Sequence, residues 1–123
     1  MLGSAALVAF AGSTDLGRSR AFYEDRLGLS LVSTGEQACV FDCGGSELRV
    51  TLVGSVAAAP YTVLGWRVPD ISGAVRELAG RGVEFARFPA LEQDALGIWR
   101  APSGARVAWF RDPDGNTLSL TQR

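Results

Sequence analysis

The same order of elements is written twice along this chain. In the first half, "AALVAFA" (5–11) reads as a short apolar strand. "STDLGRSRAFYEDRLG" (13–28) follows, with a Ser/Thr/Asp start and a Gly stop around a helical pattern. Three strand candidates come next, "LSLVS" (29–33), "ACVFDC" (38–43) and "ELRVTLV" (47–53), joined by "TGEQ" and "GGS". In the second half, "YTVLGWRV" (61–68) is a strand and "PDISGAVRELAGRG" (69–82) a helix. Ile71, Ala74, Val75 and Leu78 give that helix an apolar stripe at i, i+3, i+4, i+7. "VEFARF" (83–88), "GIWRA" (97–101), "RVAWF" (106–110) and "TLSLT" (117–121) read as strands, with "PSG" and "DPDGN" as turns. Asp15 to Gly28 corresponds to Asp70 to Gly82, and the small-residue run "GSVAAAP" (54–60) joins the halves.

A repeat of this kind predicts two similar units packed about a pseudo-twofold axis. The expected fold is α+β: two tandem βαβββ units, 4–54 and 60–122, within one domain of residues 1–123. Curved mixed sheets would surround a cleft, with the helices on their convex faces.

Composition removes whole classes of chemistry. The chain has no histidine, so a His-based triad and a two-His, one-carboxylate iron site are both impossible. Net charge is -1, which offers no electrostatic footprint for nucleic acid or an anionic membrane. No apolar run approaches a membrane span, and "MLGSAALVAFAG" lacks the basic start of a signal peptide. Cys39 and Cys43 lie too far apart along one strand face to bridge. They read as reduced core thiols, and a cytoplasmic location is the expectation.

Three segments, "DLGRSRAFYEDRLGL" (15–29), "WRVPDISGAVRELAGRGVEF" (66–85) and "WFRDPDGNTLSL" (109–120), together resemble the vicinal oxygen chelate superfamily. That superfamily includes glyoxalase I, extradiol dioxygenases, fosfomycin-resistance enzymes and bleomycin-resistance proteins. In its metal-binding members, the first and fourth strands of each half supply His, Glu or Gln. Counting from the shared motifs places those positions at Val8, Arg49, Val63 and Ser119. Alternation agrees: Leu48, Val50 and Leu52 form one face, Arg49, Thr51 and Val53 the other. Likewise Leu118 and Leu120 would pack on a helix while Thr117, Ser119 and Thr121 face the cleft. Two valines, an arginine and a serine are not a divalent-metal ligand set, so no metal and no cofactor are expected. Glyoxalase, epimerase, dioxygenase and thiol-transferase activities are all put in doubt.

Other residues follow from the same alternation. Phe10 joins Val8 on the cleft side, and Trp109 faces it from the strand before the last turn. Trp99 is compatible with either side, whereas Trp66 reads as core. Aromatic faces in a pocket stack planar ligands. Arg49 and Arg67 would anchor a carboxylate, phosphate or phenolate, or else simply cover apolar surface. Ser119 and Thr51 would orient a ligand by hydrogen bonds. Phe22 and Leu27, with Tyr23 beside them, read as helix packing, and "DPDG" as turn chemistry rather than a catalytic box.

Metal-free members that the chain resembles are dimeric binders of toxic small molecules. The resemblance therefore implies a homodimer that sequesters an aromatic or apolar natural product or drug, with no nucleic-acid or membrane partner. The candidate binding set is Val8, Phe10, Arg49, Thr51, Val63, Arg67, Trp99, Trp109 and Ser119, with no catalytic residue. Two alternatives stand beside it: a superfamily lyase, isomerase or dioxygenase with an atypical metal site, and a scaffold or regulatory dimer without a ligand.

Overall fold

The computed structural model describes residues 1–123. The chain forms two compact units, Met1–Ala57 and Ala58–Arg123, each with one four-stranded mixed sheet and one helical segment on one of its faces. The architecture is α+β, and both sheets are open.

Unit one contains β1 (Val8–Ser13), α1 (Leu16–Arg20), β2 (Ser30–Thr34), β3 (Ala38–Cys43) and β4 (Ser46–Leu52). The sheet order is β1-β4-β3-β2, with β1 parallel to β4 and the other pairs antiparallel. A parallel neighbour requires a crossover, and the helix supplies it. Asp15 caps α1 by accepting from the Arg18 amide at 3.0 Å, as its Ser/Thr/Asp start predicts. Strand β1 begins at Val8 rather than Ala5, because only Val8–Ser13 finds partners on β4.

The helical stretch is not uniform. After Arg20 it widens into a π-helical turn over Ala21–Arg26, with the Leu27 amide bonding the Phe22 carbonyl at 3.0 Å. The wider turn brings two consecutive rings inward. Phe22 is buried, and Tyr23 is completely buried, edge-on to Phe22 and 5.9 Å from Phe41. With Leu48, Val50 and Cys39 these rings fill the space between helix and sheet. Both cysteines are free thiols; Cys39 is buried as expected, and Cys43, at the strand end, is partly exposed.

Unit two contains β5 (Leu64–Arg67), α2 (Ile71–Gly80), β6 (Trp99–Arg100), β7 (Arg106–Arg111) and β8 (Thr117–Gln122), in the order β5-β8-β7-β6. Asp70 caps α2 at the Gly73 amide. The predicted stripe faces the sheet, with Ile71 and Val75 buried. A Schellman stop ends the helix: Val83 N bonds Leu78 O, Gly82 N bonds Ala79 O, and Gly82 takes φ +90°. The "DPDGN" turn is held by Asp112. Its Oδ1 accepts from the Asp114 and Asn116 amides and its Oδ2 from Asn116 Nδ2, while Gly115 takes φ +86°.

One expected strand does not form. "VEFARF" contributes a single bridge, Phe85 to Phe110, and one further bond from the Ala86 amide to the Trp109 carbonyl at 2.7 Å. "GIWRA" shrinks to the two residues of β6, and "YTVLGWRV" to Leu64–Arg67. Part of the backbone of the 86–97 segment is satisfied instead by Gln93. Its Oε1 accepts from the Phe88 amide at 2.8 Å, and its Nε2 donates to the carbonyls of Ala86 and Gly97 at 3.0 and 2.8 Å. A side-chain amide, with two donors and an acceptor, replaces a strand's ladder here.

No helix is long and apolar enough to cross a membrane.

Candidate binding faces and family membership

Strand pleating divides each sheet into a helix-packed face and a helix-free face. In unit one, Val8, Phe10, Arg49 and Thr51 fall together on the helix-free face. The register pairs Phe10 with Arg49 and Arg49 with Val40, while Val8 stands opposite Glu47. Phe10 is 62% exposed and Val8 39%. Arg49 is exposed and forms no ion pair, although Glu47 and Asp42 share its face.

In unit two, the register aligns Arg67, Thr121, Val107 and Trp99 in one row across four strands. The next row is Gly65, Ser119 and Trp109. Trp99, which alternation left open, therefore shares the helix-free face with Trp109. The two indoles lie 5.9 Å apart at 36°. Phe88 meets Trp109 edge-on at 5.4 Å and 86°, carried there by the Gln93 network. Both indoles remain partly exposed, and Ser119 is buried beside Gly65. Trp66 points to the other face and stacks on Phe110 at 6.4 Å, the core role expected of it.

Val63 precedes β5 and bonds through its amide to the Thr117 carbonyl at 2.9 Å. The metal-ligand positions counted from the motifs thus sit in the same relation in both units. Arg49 lies two residues beyond the residue opposite Val8, and Ser119 two beyond the residue bonded to Val63. Valine has no donor atom and a guanidinium repels a cation, so these four residues do not fit a divalent metal. No three His, Cys, Asp or Glu side chains converge anywhere in the chain.

A groove of about 390 Å³ opens beside β6, between Trp99, Arg100, Arg106 and the Glu92–Asp94 segment. Its two guanidiniums are matched by two carboxylates, and Asp94 Oδ1 already accepts from the Leu96 and Ile98 amides.

The model of the glyoxalase/bleomycin resistance protein/dioxygenase superfamily matches residues 8–120. The chain belongs to that superfamily. Its fold is shared by a bleomycin resistance determinant encoded on the transposon Tn5, at TM-score 0.76 and 21% identity, with 98% of each chain covered. Lactoylglutathione lyase from Agrobacterium tumefaciens superposes at TM-score 0.75 and 21% identity, covering 97% of this chain and 93% of that one. A glyoxalase/bleomycin resistance protein/dioxygenase from Alicyclobacillus acidocaldarius gives 0.72 and 18%, covering 97% and 91%. No curated protein sequence matches the chain. At these identities the likeness concerns the fold, and superfamily folds of this kind host unrelated chemistries.

The register places Thr121 on this face as alternation expected, and adds two residues that sequence reasoning passed over, Phe88 and Arg111. Arg111 was legible as the period-two continuation of Trp109. Phe88 carried no periodic signal, because a side-chain amide sets its position.

Proposed function

We propose that this protein binds a small planar aromatic molecule without breaking a bond in it, and so sequesters it. The observation that carries the reading is the ring cluster of Phe88, Trp109 and Trp99 on a sheet face that needs no aromatic residues for its own core. Indole faces left partly exposed beside hydroxyls favour stacking of a flat ligand with polar contacts at its edge. In this reading Trp99 and Trp109 stack the ligand and Ser119 orients it, with Arg67 and Val63 at the margin. Val8, Phe10, Arg49 and Thr51 form the corresponding surface of unit one. Cytoplasmic sequestration by a homodimer is the cellular form we assign to it. The residues at the superfamily's metal positions weigh against a metal-dependent lyase or dioxygenase reaction.

The test is calorimetric titration of untagged protein with a panel of planar aromatic compounds, alongside thermal melts. Saturable binding that raises Tm and is lost in Trp109→Ala, but retained in part by Trp109→Phe, is expected. An absence of saturable heat and of any Tm change across the panel would overturn the reading.

A further inference from the structure

Among its strand residues, the helix-free face of unit two carries two guanidiniums, Arg67 and Arg111, and no carboxylate, although Glu92 and Asp94 line the groove that Trp99 borders. The chain as a whole has net charge -1, so this face runs against the average. Arg111 follows Trp109 by two residues on β7 and pairs with Thr117, which puts both side chains on the same side, about 7 Å apart along the strand. Arg67 lies on β5 in the Thr121 row, two strands across and two residues along from Trp109, so it sits on the side away from Arg111 and about 16 Å from it. Both arginines are exposed and neither is held in an ion pair within the chain. The groove beside β6 shows the contrast, since its arginines sit among carboxylates.

We propose that the ligand of this face is an aromatic anion. Its ring system lies against Trp109 and Trp99, and its carboxylate, phosphate or sulfonate is held by Arg111, the guanidinium next to Trp109, while Arg67 adds only longer-range attraction from the opposite end of the face. Ser119 and Thr121, which lie between the rings and Arg67, serve as neutral hydrogen-bond donors. This rests on the reading that the face binds aromatic molecules, and adds the charge they carry. A guanidinium presents paired donors that match such oxyanions. Because both guanidiniums are exposed, the charge contributes a salt-dependent increment of roughly tenfold in affinity rather than the bulk of it.

The test is isothermal titration of the full, untagged chain with 2-naphthoate, its neutral isostere 2-naphthamide, and the cationic 2-naphthylmethylammonium. At about 20 mM salt the carboxylate should bind roughly tenfold more tightly than the amide, the cation most weakly, and the gap should shrink at about 0.5 M. In Arg67→Gln/Arg111→Gln the carboxylate-to-amide ratio should fall towards one. Equal binding of carboxylate and amide in the wild type, or a ratio indifferent to the double variant, overturns the anion assignment and leaves aromatic binding standing. Failure of all three probes to bind overturns the proposed function, and this inference with it. If the double variant unfolds, Arg111→Gln alone must lower the ratio. An unchanged ratio in Arg111→Gln overturns the proposal.

Discussion

Gly65 and Ser119 stand opposite one another on the parallel strands β5 and β8, so close that a Cβ at position 65 would lie 3.1 Å from the Ser119 hydroxyl. The near atom is the end of a short rotatable side chain, so Gly65→Ala should alter stability by no more than about 1 kcal/mol in urea unfolding. It fills the space beside Ser119, however, and should weaken ligand binding on that face. An unfolding midpoint that holds while calorimetric affinity drops is the expected pair of results.

Two glycines of α2 should respond differently to alanine. A Cβ at Gly73 would come 2.5 Å from Asp70 Oδ2, the carboxylate that caps the helix, whereas a Cβ at Gly80 meets nothing within 4 Å. Gly80→Ala should therefore stabilise the protein by about 0.5 kcal/mol through helix propensity. Gly73→Ala gains the same propensity but disturbs a cap contributing about 1 kcal/mol, so it should show no net gain. Paired thermal melts distinguish the two.

Gln93 is the next sensitive position. Gln93→Ala strands the Phe88 amide and the Ala86 and Gly97 carbonyls, and should cost about 1–3 kcal/mol. It should also shift Trp emission, because Phe88 loses its seat against Trp109. Gln93→Glu keeps the acceptor for Phe88 but sets a carboxylate against two carbonyls. That contact raises the folded-state pKa of the introduced acid, so its penalty should be largest at neutral pH and diminish as the pH falls and the acid protonates. A pH series of melting temperatures for the three proteins checks both statements.

Asp112 is buried and accepts from three donors in its own turn. Asp112→Ala should destabilise by about 2 kcal/mol, read from denaturant midpoints at constant slope. Asp112→Asn retains one acceptor oxygen and should lose less.

Much of the fold was legible because the repeat carries its own punctuation. Asp15 and Asp70 mark helix starts, Gly82 takes the left-handed stop it was assigned, and Leu118 and Leu120 alternate towards α2. "VEFARF" misled because Val83 and Phe85 alternate with Glu84 like a strand while serving other ends. Val83 closes the helix stop, and Phe85 and Ala86 each make one contact with β7. The hydrogen bonds that would have paired the rest come from Gln93, which looks like any polar loop residue in one dimension. Tyr23, read beside Phe22 and Leu27 as helix packing, is fully buried within a π turn, and that turn itself is invisible to a period of 3.6. At the candidate site, strand alternation gave Trp109, Ser119 and Arg67 one face. It could not choose a side for Trp99 until the register of β6 against β7 was known.

The stretch from Arg87 to Leu96 borders the ring cluster, yet it is fastened to the unit by two side chains, Gln93 and Asp94, and a single strand bridge. Such a wall is interchangeable. Its length and its inward ring can be replaced without disturbing α2, β7 or β8, provided a Gln and an Asp remain to hold it. For an engineer, that is the place to graft loops when a binder for a different flat molecule is wanted. In the proposed binding role, exchanging that ring would change which flat ligand is preferred while the sheet beneath stays put.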